Sequence, residues 1–172
     1  MKTTFKLVAF LLTITLLSCN ANLNLNDGVE GSGNVITEKR TINESFDKIS
    51  ASTGVTVIVE QGSPNDVEVE TDDNLMQYVI TKVENGTLIV KIEGNINTMS
   101  SIDVRVRMSS IVGLESTSGS RITSKNTLKG STIAVKSSSG SEIDAVLEYE
   151  NVSCESSSGS NITVAGKALK LE

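Results

Sequence analysis

The chain has no histidine and no tryptophan, one proline (Pro64), two cysteines, and aromatic residues at only 3 % of its 172 positions. Without histidine, neither a Ser-His-Asp nor a Cys-His catalytic arrangement can be assembled from this chain, and the commonest zinc ligand is missing. Few aromatics leave little to stack against sugar rings or bases. Basic residues are outnumbered 15 to 21 by acidic ones, a net charge of −6, which disfavours nucleic acid as a partner. Apolar content of 38 % is enough for a core in a domain of this length.

The N-terminus reads as an address. Lys2 and Lys6 precede an apolar run from Leu7 to Leu17 that is too short for a comfortable membrane span and suits a signal-peptide core. Leu16-Leu17-Ser18-Cys19 then resembles a bacterial lipobox, in which cleavage before the cysteine is followed by its acylation. The alternative is a general secretory signal with an incidental cysteine. Residues 1–18 are therefore expected to be a lipoprotein signal peptide, Cys19 the lipid attachment site, and 19–30, rich in asparagine, a flexible tether. Losing Lys2 and Lys6 leaves 13 basic against 21 acidic residues, a net −8. More than one acyl chain on Cys19 gives a stable membrane tether, at about 0.8 kcal/mol per buried CH₂. Asn20, where an aspartate would resemble an inner-membrane retention signal, favours the outer membrane, with either face open. An acylated Cys19 leaves Cys154 without an intrachain disulfide partner.

From Gly31 the text becomes short alternating runs. Val55, Val57 and Val59 form one and Val67 and Val69 another, with residues 61–66 as the turn between them. Ile102, Val104, Val106 and Met108 form a third. Residues 71–77 suit a capped helical turn. Asn85-Gly86 favours a type I′ hairpin turn, and that register sets Val83 against Leu88, Thr81 against Val90 and Val79 against Ile92.

After residue 110 the sequence repeats. The marker is Ser116-Thr117-Ser118-Gly119-Ser120, then Ser137 to Ser141, then Ser156 to Ser160. Isoleucine stands two residues past each (Ile122, Ile143, Ile162), and Leu114, Val135 and Cys154 stand two before. A flexible Ser/Gly linker has no reason to keep aliphatics at fixed offsets. The pattern predicts an all-β parallel β-helix or β-solenoid after an N-terminal hairpin-rich region, with each repeat one coil and a glycine at each corner. The expected interior columns are Leu114/Val135/Cys154/Leu171, Val112/Ile133/Val152/Leu169, Ile122/Ile143/Ile162 and Leu128/Leu147/Val164, the last coil being given an implied 17-residue spacing.

Gly31 to Arg40, then Phe46-Asp47-Lys48-Ile49, Gly54-Val55-Thr56-Val57, Gln61-Gly62, Asn74-Leu75, Gly86 to Val90 and the Ser-Gly-Ser repeats together resemble the head GIN domain family, an autotransporter-adhesin family. The resemblance spans about residues 31–172 and implies a right-handed β-helical fold in an envelope protein, often a lipoprotein, with attachment as its role. It carries over no ligand and no catalytic residue. Family members usually run on for further repeats, so either the chain continues in the full protein or the domain ends early; an uncapped last coil would invite self-association.

Individual residues favour structural roles. Cys154 shares its column with Leu114 and Val135 and reads as a buried thiol. Glu70, Asp72 and Asp73 lack the glycine loop and oxygen count of a calcium site and read as a solvated acidic turn. Asp103, Arg105 and Arg107 alternate on one strand and read as solvent-facing. No catalytic residue, cofactor or metal ligand is assigned. The expected function is a non-enzymatic outer-membrane lipoprotein whose domain offers a face for attachment or scaffolding. Its partners would be the membrane and an envelope protein or glycan. A polysaccharide-acting enzyme or glycan-binding module, and a self-stacking subunit, are the alternatives.

Overall fold

The computed structural model describes residues 28–172. The expected signal peptide, Cys19 and most of the expected tether lie outside the described residues. The described residues form fourteen strands: β1 (Val29–Glu30), β2 (Val35–Lys39), β3 (Lys48–Ala51), β4 (Thr56–Gln61), β5 (Asp66–Asp72), β6 (Val79–Glu84), β7 (Thr87–Ile92), β8 (Ile96–Thr98), β9 (Ile102–Met108), β10 (Gly113–Ser116), β11 (Arg121–Ser124), β12 (Leu128–Ser137), β13 (Glu142–Ser156) and β14 (Asn161–Leu171). The fold is all-β, as the alternation and the absence of any long amphipathic run require. One 12-stranded sheet, curled and open, carries all but β1 and β8, which form a separate parallel pair. That pair takes in Val29 and Glu30, so the tail of the expected tether is already strand.

The repeats lie on one another in parallel. One row of strands runs β7, β3, β10, β12 and the later part of β13. A second runs β9, β4, β11, the earlier part of β13, and β14. Each pass of the chain goes from the first row through a corner into the second. In the second row Val57, Ile122, Ile143 and Ile162 are successive register partners. In the first, Leu88, Ile49, Leu114, Val135 and Cys154 are. All but Cys154 and Ile162 are buried, and those two pack against the core. Each fully buried aliphatic stabilises the fold by about 1.5–3 kcal/mol relative to exposure.

At one end antiparallel strands flank the parallel rows. β6 and β7 form the expected hairpin in the expected register, with Asn85 and Gly86 at φ 50° and 74°. β5 returns antiparallel to β9, and β2 lies outside β5. β5 and β6 follow one another through a 3-10 turn at Met76–Tyr78, which has no side-chain cap, instead of the capped helical turn expected.

Two expectations are corrected. β4 and β5 are not neighbours, because β9 lies between them, parallel to one and antiparallel to the other. The connection over residues 62–65 is long enough to step across one intervening strand, two spacings of about 4.8 Å. The last repeat is also displaced by two residues. Leu171 partners Val152, not Cys154, and Leu147 partners Gly166, not Val164. The spacing from Val152 to Leu171 is thus again 19, as between Ile133 and Val152. Leu169 and Leu171 stand two apart, so alternation alone could not separate them; both are exposed instead of interior, and Leu171 is the one aligned with buried Val152.

Candidate functional site

The corners are the most regular feature of the surface. In each marker the third and fourth residues both take left-handed backbone: Ser118 and Gly119 (φ 53° and 72°), Ser139 and Gly140 (54° and 70°), Ser158 and Gly159 (52° and 73°). This conformation reverses the chain tightly and suits glycine; serine accepts it at a cost. A hydroxyl network offsets that cost. Ser120 Oγ lies 2.7 Å from Ser116 Oγ and 2.9 Å from the Ala51 carbonyl oxygen, and accepts a hydrogen bond from Thr117 N. Ser141 repeats the arrangement with Ser137 Oγ at 2.8 Å and the Ser116 carbonyl oxygen at 2.6 Å. Ser160 repeats it with Ser156 Oγ at 2.9 Å and the Ser137 carbonyl oxygen at 2.7 Å. The serine at the fifth position of each marker therefore binds the residue at the first position of the corner before it. Ser116, Ser120, Ser137 and Ser141 are buried, and the network satisfies what burial would otherwise leave unpaired.

A fourth corner escaped the sequence reading. Thr53 and Gly54 have φ 62° and 74°, and Gly54 N donates to the Ser118 carbonyl. Here Ala51 and Val55 stand where the later corners have serines, so the Ser-x-Ser-Gly-Ser text is lost. Gly54 itself, with Ile49 and Val57 at the repeat's offsets, was the surviving signal.

The tips of the corners carry exposed hydroxyls, and the strands beyond them carry charge. Arg105 grips Glu70 through both guanidinium ends at 3.1 and 3.2 Å, which holds the Glu70 carboxyl below its ordinary range. Glu60 sits between Lys125 at 2.7 Å and Arg107 at 3.1 Å, and Lys125 first, then Arg107, lowers its pKa. Glu60, Arg105, Arg107 and Lys125, with Ile58, Asp66 and Glu68, line a shallow cleft of about 130 Å³. Each cation lining it is already matched by a carboxylate. Solvent screens half-exposed pairs of this kind, so they contribute little to stability.

Arg105 and Arg107 do face outward as expected, within ion pairs. Burial pushes the Cys154 thiol up, away from the reactive thiolate. Asp72 departs from its expectation. It is buried, and its carboxylate accepts from Gly33 N (2.8 Å), Ser100 N (2.9 Å) and Ser100 Oγ (3.0 Å). Local text around an acidic pair cannot reveal two distant segments folding over it. Among the described residues, no three Cys, Asp or Glu side chains are gathered to hold a metal ion. Among those residues no helix is long and apolar enough to cross a membrane.

Known structures share this arrangement. A putative adhesin from Bacteroides fragilis matches with a TM-score of 0.75 at 18 % identity, over 82 % of this chain and 66 % of that one. A putative adhesin from Parabacteroides merdae matches at 0.68 and 25 % identity, over 84 % and 62 %. A putative lipid binding protein from Parabacteroides distasonis matches at 0.65 and 17 % identity, over 81 % and 70 %. The chain thus spans slightly less than two thirds of the first two. No curated protein sequence matches it. A family profile described as "Putative auto-transporter adhesin, head GIN domain" matches residues 45–172, nearly three quarters of the sequence, and the chain belongs to that family.

Proposed function

We propose that this protein is a non-enzymatic attachment or scaffold module of the bacterial cell envelope, built as a β-solenoid and moored to the outer membrane by lipid on Cys19. The observation that carries the reading is the parallel stack of passes. Register partners Val57, Ile122, Ile143 and Ile162 fill its interior, and a cross-pass hydroxyl network ties its corners. Such a body is stiff because each corner binds the one before, and its outer strands are free to carry recognition. Family membership supports an adhesin-like role at the envelope or surface. The lipobox Leu16-Leu17-Ser18-Cys19 supports the anchor. Pairing of the charges in the cleft supports a binding surface over a catalytic one, since no unpaired group there is poised to polarise a substrate.

The test has two arms. Cells fed radioactive palmitate should label the full chain and not a Cys19→Ala variant; equal labelling of both removes the anchor. Cells displaying the full chain should adhere to immobilised envelope glycans or matrix proteins more than cells lacking it. Turnover of any glycan by the purified protein, abolished by substituting Arg105 or Glu60, would instead establish an enzyme.

A further inference from the structure

Between β1 and β2 the chain crosses the end of the sheet as a strap, Gly31 to Asn34. Two consecutive carboxylates at the end of β5 and just beyond it fasten the strap. Asp72 accepts from Gly33 N on one side and from Ser100 N and Oγ on the other, joining the strap to the loop between β8 and β9. Asp73 accepts from Ser32 Oγ and from Asn34 Nδ2. Asn74 completes the fastening: its Oδ1 accepts from Ser32 N at 3.0 Å and its Nδ2 donates to the Glu30 carbonyl at 2.8 Å. Gly31 packs so closely on Asp72 that a β-carbon there would collide with the carboxylate. The backbone holds the segment as well: Val29 N and Gly31 N donate to the Asn95 and Thr98 carbonyls, and Asp73 N donates to the Asn34 carbonyl. Between the strap and the body of the sheet, the side-chain acceptors are thus concentrated on Asp72, Asp73 and Asn74.

We propose that this strap is a latch. Closed, it fixes the point at which the N-terminal chain enters the domain. Opened, it releases residues 28–34 while β2 stays paired with β5. Seven residues at about 3.3–3.6 Å each add roughly 23–25 Å to the link between domain and N-terminal chain. The latch thus sets how far the domain stands from the membrane. That purpose rests on the Cys19 anchor; the latch itself does not.

Hydrogen exchange on the full chain carrying Cys19→Ala tests the latch without the lipid. Adding Asp72→Ala should speed exchange in segments 28–34 and 96–101 by about tenfold or more and leave β11 to β13 unchanged. Ser100→Ala, which spares the Ser100 and Gly33 amide bonds, should have a smaller effect in the same segments. Unchanged exchange in the strap overturns the proposal. So does acceleration throughout the sheet, which would make Asp72 a general stabiliser. The standoff role is read separately, on the acylated full chain bound to phosphatidylethanolamine vesicles. Energy transfer from a dye at Glu115→Cys, in a Cys154→Ala background, to a lipid-borne acceptor should fall when Asp72→Ala is added. Unchanged transfer with an open strap overturns that role, whereas absent palmitate labelling removes the anchor and the standoff role with it and leaves the latch standing.

Discussion

Gly130 is the register partner of Tyr149, and a β-carbon on Gly130 would fall 2.6 Å from the tyrosine ring. The ring needs that space because its hydroxyl reaches inward to donate to the Ile111 carbonyl at 2.7 Å. The tyrosine thus carries its polar tip into the core beside a neighbour in the preceding pass that has no side chain.

Gly130→Val should displace the ring and break the Ile111 bond, costing about 1–3 kcal/mol. Tyr149→Phe keeps the packing, loses only the hydroxyl, and should cost about 1 kcal/mol. Urea midpoints compare them; equal stability of Gly130→Val and the native chain would mean the ring is not confined by Gly130.

Burial raises the Tyr149 pKa from 10 to about 12. A folded-state value above the unfolded one means that stability is fully present below pH 10 and is lost as pH rises through about 12. Absorbance of tyrosinate during alkaline titration should show a step near 12 that Tyr149→Phe removes; loss in Tyr149→Phe of a step at 10 instead would contradict the burial.

The corner network predicts a non-additive pair. Ser120→Ala removes the hydroxyl that joins Ser116 Oγ, Thr117 N and the Ala51 and Thr117 carbonyls and should cost about 1–3 kcal/mol. The double change Ser116→Ala with Ser120→Val copies the Ala51/Val55 corner and should recover at least half of that loss. If the two effects simply add in a denaturation cycle, the hydroxyls are not one unit.

Acid should loosen the strap before the rest of the fold. Hydrogen bonds, those of Ser100 first for Asp72 and of Ser32 first for Asp73, hold both carboxyls below their ordinary range. The segments over Asp72, Gly31 to Asn34 and Thr98 to Ser101, carry no ionisable side chain, and the charge opposing it is that of neighbouring Asp73. Lowered folded values mean that the contribution is present above the unfolded pKa, near 3.8, and is lost as pH falls through the lower folded one. Proteolysis by pepsin over a falling pH series should cut near residues 28–34 first. Uniform cutting would contradict this.

Much of this was legible because it is local or periodic. The Asn85-Gly86 turn specified the whole β6/β7 register, and the spacing of Ile122, Ile143 and Ile162 specified the stack. What was not legible is non-local. Nothing near Gln61 or Asp66 says that β9, some 40 residues on, will lie between β4 and β5. Asp72 is acidic in the text but buried in the fold, because its partners Gly33 and Ser100 are distant in sequence. The first corner was hidden because Ala51 and Val55 solve by apolar contact what Ser116 and Ser120 solve by hydrogen bonds.

The stacking of passes is tested most directly by cross-linking across them. Thr123 and Asp144 are register partners on the outer face of β11 and β13. In a full chain with Cys19→Ala and Cys154→Ala, a Thr123→Cys/Asp144→Cys pair should close an intramolecular disulfide on mild oxidation, whereas Thr123→Cys/Val146→Cys should stay reduced. Closure of the second pair in preference to the first, or of neither, would contradict the parallel register from which the rest of the account is built.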